Sequence, residues 1–509
     1  MANLKGFMGN YEVNIDDLEL IHASLEDEIV DARLLMGPWY PSRIPPEILC
    51  EIFHHYILFF QHSAWTISQV CRAWRRITLG CPSLWNRLHV TARVLQLSNG
   101  YRSRNSFGRE CLTTELQARR AVRRARETPL RVELWLNEGN RDPSAMLRLL
   151  KTVAGENLSR WRSLEWYDSK MDDRWTPVLR QALSPAGEMT SLKRLSFHYN
   201  VCHLLVPILA AGVPCLSSLE LTLDDDPPTM LMMQPWLRRL KSLTLRNCHR
   251  LSPLWPFIAE CKALGDLILR RSIYSPAPGS GEVFGPFGPS ERCPLPYELQ
   301  TVWLETHANF WPYVSGRNIT SLTLQMGDTA LKTVQVAPHS ISLPSLTELS
   351  CLSCETAFAA GYLLDAPTMQ YMQISNYPLA GRRFKASSCD GLWDDLWGIY
   401  PIHVSLRTSN QDRALLQNLF LRFSNTNTLS LHFYFQSVDA LLALIPDSER
   451  DDGIKVCPNL TQVKCKFMNG LPSSEASRMG SIILAIKDQR ENMGLLRPRI
   501  DIWWGKRVV

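Results

Sequence analysis

Three stretches decide how this chain folds: Leu216-Ser-Ser-Leu219-Glu-Leu221, Leu240-Lys-Ser-Leu243-Thr-Leu245 and Leu264-Gly-Asp-Leu267-Ile-Leu269. The leucine spacing is the same in all three, and the interval between them is a constant 24 residues. Residues two apart on a strand share a face. The paired leucines of each copy therefore point into one core, and the residues between them, Glu220, Thr244 and Ile268, point the other way. Looser copies extend the pattern in both directions: Trp161/Leu164/Trp166, Leu192/Leu195/Phe197, Leu299/Val302/Leu304, Ile319/Leu322/Leu324, Leu346/Leu349/Cys351, Met369/Met372/Ile374 and Leu460/Val463/Cys465.

That period falls within the roughly 20–29 residues of leucine-rich repeats, where each copy supplies a strand and a helix or turn returns the chain. The roughly 15–20 residues between strand cores suffice for parallel crossovers, so the strands are expected to lie parallel in one curved body. Several copies depart from the usual length, and Asn247 is the nearest match to the asparagine at which such repeats turn. The solenoid is therefore read as irregular. Ser275 to Pro289, rich in Gly and Pro, reads as a surface loop, and Gly381 to Asn410, with Trp393 and Trp397, reads as a break in the repeat. Asp501-Ile-Trp-Trp reads as a last strand near the end of the array.

The 509 residues leave room for such an array and a smaller module beside it. With 20% charged and 45% hydrophobic residues the chain is expected to fold, and a net charge of +6 on 58.1 kDa names no ligand. No apolar run suits a secretory signal or a membrane span. The 14 cysteines are irregularly spaced and read as reduced thiols of the cytosol or nucleus. Cys351 and Cys354 form the lone C-x-x-C; without a second pair or a nearby His pair they read as buried small hydrophobes, and no metal or cofactor is expected.

Toward the N-terminus, Ile15, Leu18, His22, Leu25, Ile29, Ala32 and Met36 share one helical stripe, with Asp16, Asp17, Glu19, Glu26, Asp27 and Glu28 mostly off it. Gly37-Pro38 ends that helix. Next comes Pro41-Ser-Arg-Ile-Pro-Pro-Glu-Ile-Leu-Cys-Glu-Ile-Phe-His-His-Tyr. Pro45 and Pro46 suit the start of a helix that carries Ile48, Leu49, Ile52 and Phe53. A second helix is expected to carry Ile67, Val70, Cys71 and Trp74. A unit this small normally needs a partner to complete its core.

The order Ile44-Pro45-Pro46-Glu47-Ile48-Leu49, Ile52-Phe53, Val70-Cys71-Arg72-Ala73-Trp74-Arg75 and Pro82-Ser83-Leu84-Trp85 resembles the F-box, the adaptor-binding module of cullin–RING ubiquitin ligases. With an acidic helix before it and a leucine-patterned region after it, the chain is similar to the expanded F-box families of mushroom-forming fungi. The match departs at Tyr56 to Trp65, where Phe59-Phe60 and Gln61-His62-Ser63 replace the usual leucine–proline–acidic loop. The implied fold class is α/β: an N-terminal helix over 1–38, a small helical F-box over 39–90, and an irregular leucine-rich-repeat solenoid with a parallel sheet over 91–509. The resemblance implies a substrate receptor of an SCF-type ligase that catalyses nothing itself. Its partners are then a Skp-type adaptor with its cullin, and a target protein held by the repeats. Ile44, Pro45, Pro46, Ile48, Leu49, Ile52, Val70, Cys71 and Trp74 would supply both the module's core and its adaptor face.

Catalytic signatures are missing: there is no Gly-x-Ser-x-Gly, no His-Glu-x-x-His and no phosphate loop. Gly279-Ser-Gly-Glu-Val-Phe-Gly has the wrong spacing for a dinucleotide site, and Asp224-Asp225-Asp226 before Pro227-Pro228 reads as a turn. Arg102, Arg104, Arg109, Arg119, Arg120, Arg123, Arg124, Arg126 and Arg131 make the best case for a polyanion partner. The opposing reading is a solvated helix resting on Leu112, Leu116, Ala118, Ala121, Val122 and Ala125 and leading into a strand at Leu130, Val132, Leu134 and Leu136. An F-box scaffold without a ligase role and a nucleic-acid binder remain the alternatives to the receptor. On the strand faces away from the leucines, Ile268 and Trp303 are expected side by side, rimmed by Arg246 and Arg270 and near Glu305. That cluster reads as an anchor for an acidic or phosphorylated peptide.

Overall fold

The computed structural model describes residues 44–60, 64–91, 114–136, 143–168, 175–183, 187–198, 208, 212–223, 234–246, 255–270, 296, 298–305, 317–325, 341–375, 398–408, 413–433, 439–445, 456–467 and 473–504. The stripe from Ile15 to Met36, Arg102 to Leu112, Asp224 to Asp226, Asn247, Ser275 to Pro289, Trp393 and Trp397 lie outside them. The chain divides into two compact units, with the boundary between Leu84 and Trp85.

The first unit is helical. Helix α1, Pro46–Phe60, starts on a proline, whose missing N–H costs nothing in the first turn, and its first backbone bond runs from Leu49 N–H to the Pro45 carbonyl at 3.1 Å. Leu49, Phe53 and Ile57 recur every four residues and are buried. The stretch expected to carry Ile67, Val70, Cys71 and Trp74 on one helix divides them between α2 (Ala64–Ser68), the turn after it and α3 (Arg72–Gly80), so the unit has three short helices, within the two or three that its sequence allows. Cys71 interrupts that stretch. Its backbone is extended and its Sγ accepts the Trp74 N–H at 3.4 Å, which starts a new helix in place of continuing the old one. Arg75 Nε donates to the Ser68 carbonyl at 3.0 Å and ties the two pieces together.

The second unit is a mostly parallel sheet with helices. Its strands are β1 (Arg87–Thr91), β2 (Leu130–Leu136), β3 (Trp161–Asp168), β4 (Arg194–Phe197), β5 (Ser218–Thr222), β6 (Ser242–Arg246), β7 (Asp266–Arg270), β8 (Thr301–Glu305), β9 (Ser321–Gln325), β10 (Ile341–Ser342), β11 (Glu348–Cys351), β12 (Leu364–Asp365), β13 (Tyr371–Ser375), β14 (His403–Thr408), β15 (Thr428–Phe433), β16 (Gln462–Phe467) and β17 (Arg499–Trp504). Fifteen of them form one sheet in strict chain order, and β10 pairs with β12 in a small ladder of its own. Every described ladder is parallel.

The leucine register holds in the sheet: Leu219, Leu243 and Leu267 pair in line, as do Leu221, Leu245 and Leu269, and all six are buried. The break expected over 381–410 ends earlier, because β14 rejoins the sheet at His403 and places Val404 and Leu406 in the core. The leading position of β14 is Pro401 and that of β15 is Thr426, so neither copy spells leucine at its start. Thr426 is fully buried and its hydroxyl donates to the Pro401 carbonyl at 2.8 Å, which satisfies the one polar group there.

The elements that return the chain follow helical rules. Helix Glu115–Ala125 opens on a capping box, with Thr114 Oγ1 accepting the Gln117 N–H and Gln117 Oε1 accepting the Thr114 N–H, each at 3.2 Å. Ala118, Ala121, Val122 and Ala125 are buried as expected, whereas Leu116 faces outward on the other side of the helix. The last helix, Ser473–Asn492, is anchored by Arg490, whose fully buried guanidinium donates to the carbonyls of Val456 (2.9 Å), Cys457 (3.1 Å), Pro458 (3.3 Å) and Leu496 (3.1 Å). No described helix is long and apolar enough to cross a membrane.

Candidate functional site

Helix α1 carries an apolar stripe wider than its own unit covers. Leu49 is 2% exposed and Phe53 is buried beside it, whereas Ile48 and Ile52 are each 48% exposed and Tyr56 follows on the same side. Ile48, Ile52 and Tyr56 step by four residues, so they form one continuous apolar row next to the buried row. Pro45 and Pro46 are also exposed, at the start of the helix, and Ile44 is half-buried. Scattered exposed leucines are ordinary, whereas here the large apolar side chains are aligned in one row.

The remaining residues expected at this surface divide between roles. Val70, in the turn after α2, is 61% exposed. Trp74 is half-buried, its ring centroid 4.8 Å from that of Phe53 at an interplanar angle of 54°, so it closes the unit's core. Cys71 is exposed and caps α3. Beneath α1, His54 Nε2 lies 2.8 Å from Ser83 Oγ, which is 3.3 Å from Cys81 Sγ. Burial, and then Cys81 beside it, push the Cys50 thiol up to about 12, so at neutral pH it stays protonated.

In the sheet unit the face opposite the leucines carries the polar chemistry. Glu133 is buried, with Arg87 Nε 2.6 Å from Oε1 and His89 Nδ1 2.8 Å from Oε2. Glu220 gathers a larger group: Arg246 reaches Oε1 at 2.6 Å, the Ser196 hydroxyl donates to Oε2 at 2.9 Å and Arg194 stands 3.5 Å away. Burial opposes its ionisation, but Arg246, His198 and the hydrogen bonds outweigh it and hold the carboxyl below the usual range. His198 Nε2 is 3.3 Å from Ser196 Oγ, so Ser, His and carboxylate do meet. The hydroxyl donates to the carboxylate, however, which leaves the imidazole outside the role of its base. Desolvation keeps His198 below the ordinary histidine value, and its ring stacks on Tyr167 (4.0 Å), which stacks on Trp135 (3.8 Å).

The target cluster read from sequence is assembled in part. Ile268 and Trp303 are register partners on β7 and β8, both half-buried. Arg270 stands over the Trp303 ring, 4.2 Å from its centroid. Arg246 is bound to Glu220 and so faces away from a role as a free rim cation. Glu305 closes β8 opposite Gln325, and its side chain lies outside the described set.

The basic segment is similarly partitioned. Arg124 covers the Trp85 ring at 4.4 Å, and Arg119 stands 3.6 Å from Glu115 in the preceding turn. These two arginines are engaged within the protein's own surface. Cys351 and Cys354 are both buried, and burial raises the Cys351 thiol; among the described residues no three His, Cys, Asp or Glu side chains gather as metal ligands.

Two parts of the surface were not read from sequence. The Glu220 group joins Arg194, Ser196, Glu220 and Arg246, which are about one repeat apart, so only the strand register brings them together. The other part, on β14 to β17, collects Arg407, His432, Lys464, Lys466 and the exposed Trp503 on one face. Their alternation along each strand was visible, but three of those four strands lacked a recognised leucine start.

A family model described as F-box-like matches residues 41–91, the stretch that contains α1 to α3 and β1. A search of the curated proteins finds no match for the chain.

Proposed function

We propose that this chain is the substrate-recognition subunit of an SCF-type cullin–RING ubiquitin ligase. The F-box-like region holds a Skp-type adaptor and, through it, the cullin, while the sheet unit holds the protein to be modified. The observation that carries this reading is the exposed row Ile48, Ile52 and Tyr56 on a helix that lies within the F-box-like match. Such a row gives a partner helix a ready apolar seam, and interface energy concentrates in a few anchors of this kind.

On this reading the chain catalyses nothing itself. It raises the effective concentration of a target lysine near a charged conjugating enzyme, which is a matter of holding two bodies together. The sheet unit is then an irregular leucine-rich-repeat solenoid, similar to those of the expanded fungal F-box families. Fifteen strands in strict chain order with leucines in register support that assignment. The irregularly spaced cysteines and a Skp-type adaptor fit work in the cytoplasm, the nucleus or both.

Affinity purification of the full chain with the proteasome inhibited tests the reading. Co-recovery of a Skp-type protein, a cullin and a polyubiquitylated third protein is the expected result. An adaptor without any cullin would favour a scaffold, and recovery of no adaptor and no cullin would overturn the proposal.

A further inference from the structure

The polar face of the sheet is charge-matched at one end and not at the other. On β1 to β6, Glu133 and Glu220 are each met by arginine within 3.5 Å. On β14 to β17 the positions facing away from the core are His403, Ser405, Arg407; Thr428, Ser430, His432; Gln462, Lys464, Lys466; and Arg499, Asp501, Trp503. Asp501 is the one carboxylate in that set, and it is occupied by Gln462 Nε2 at 2.6 Å and Arg499 Nε at 2.7 Å. Lys464 is the register partner of Asp501 and its charge acts on that carboxyl, whereas among the described residues neither Arg407 nor Lys466 forms an ion pair, and both lysines are exposed.

Register fixes how these groups are arranged. Arg407, His432, Lys466 and Trp503 are successive partners across four neighbouring strands, with Lys464 two residues before Lys466. At roughly 4.8 Å per strand the row runs about 14 Å, the length of four to five residues of extended chain. Trp503 at its end is 61% exposed, a large apolar surface next to a cation. Burial, then Lys466 and Arg407, hold the His432 imidazole below its ordinary value, as a surplus of positive charge around it requires.

We propose that this face of β14 to β17 is a docking surface for an acidic, extended segment of a partner protein, whose carboxylates meet Arg407, Lys464 and Lys466 while an apolar side chain rests on Trp503. A nucleic acid fits less well. Three cations release few counterions, and one exposed tryptophan makes no stacking series. The inference deepens the reading that the sheet unit carries the target, and its test does not involve the adaptor. Loss of adaptor capture would leave it standing, and its failure would leave the adaptor surface standing.

The test is fluorescence anisotropy of the full chain with labelled deca-glutamate, with deca-glutamine and a twenty-nucleotide poly-dT as comparisons. Deca-glutamate should bind in a salt-sensitive way and deca-glutamine should not. Lys464→Glu with Lys466→Glu should weaken binding roughly tenfold or more without moving the Tm. Lys241→Glu with Lys262→Glu, an equal charge change on exposed residues of the 24-residue repeats, should leave it unchanged. Should the double reversal lower the Tm, Lys464→Gln with Lys466→Gln takes its place. Independently, deca-glutamate should raise the His432 pKa followed by NMR. No binding, binding indifferent to Lys464 and Lys466, an unmoved His432, or tighter binding of poly-dT at the same lysines would each overturn the proposal.

Discussion

Ile48 and Leu49 are consecutive residues of one helix and lie on opposite sides of a boundary: Leu49 is 2% exposed and Ile48 is 48% exposed. The same boundary separates Ile52 from Phe53. Truncation should therefore act differently on the two rows. Leu49→Ala removes buried methyl groups and should cost about 2–5 kcal/mol of the helical unit's stability. Ile48→Ala with Ile52→Ala should change it by less than about 1 kcal/mol, because those side chains are half in water already. Hydrogen exchange of the α1 amides across a denaturant series measures both, and equal losses would contradict the partition.

The Arg270–Trp303 contact should have a measurable coupling. A guanidinium 4.2 Å from a half-exposed indole should contribute about 0.5–1 kcal/mol. A double-mutant cycle with Arg270→Ala and Trp303→Ala reads it directly. Additive effects within error would show that the ring and the cation merely coexist.

Acid should act on the sheet unit through Glu220. Its carboxyl is held below the ordinary value of 4.5, so its contribution is fully present above that value and is lost as pH falls through the lower folded one. Glu220→Gln lacks this dependence. The Tm advantage of the native chain over Glu220→Gln should therefore shrink between about pH 6 and about pH 3. An advantage that stays constant over that range would contradict the ionised, arginine-bound carboxylate.

Arg490 should be among the most sensitive side chains in the C-terminal part. Its guanidinium meets four carbonyls, and its removal takes this donor from the buried residues Val456 and Cys457 and from Pro458 and Leu496 at once. Arg490→Leu should cost about 3 kcal/mol or more despite its apolar replacement. Hydrogen exchange of the Ser473–Asn492 helix should accelerate with it, and protection unchanged from the native chain would contradict the anchoring role.

The sequence made the strands of β5 to β9 legible because their cores repeat leucine or another aliphatic residue at the first, fourth and sixth positions, and the length of chain between those cores is enough for parallel crossovers. Two later strands were hidden because Pro401 and Thr426 hold the leading positions, and the Thr426 hydroxyl finds its acceptor only when the two copies stack. The F-box-like stretch was legible as a set of residues. The division of that set into core and surface was not, since Ile48 and Leu49 are chemically alike and only the placement of α2 and α3 decides which is covered. Glu220 and Arg246 were legible as outward residues of neighbouring repeats, but their pairing was not, nor was Arg194, because each arginine lies 26 residues from Glu220 and its reach depends on the strand register. Arg490 is a charge in the interior, which composition and periodicity both place outside.

The central claim is that the exposed row of α1 receives a Skp-type adaptor. The most direct measurement is co-expression of the full chain with such an adaptor, capture on a tag carried by the chain, and quantitation of the adaptor for the native protein and for Ile48→Asp with Ile52→Asp. The account predicts stoichiometric adaptor with the native chain and a loss of roughly a hundredfold or more with the variant, since hot-spot anchors each carry about 2 kcal/mol or more. The far-UV spectrum and the Tm of the sheet unit should stay unchanged. Equal adaptor recovery with the folded variant would contradict the account.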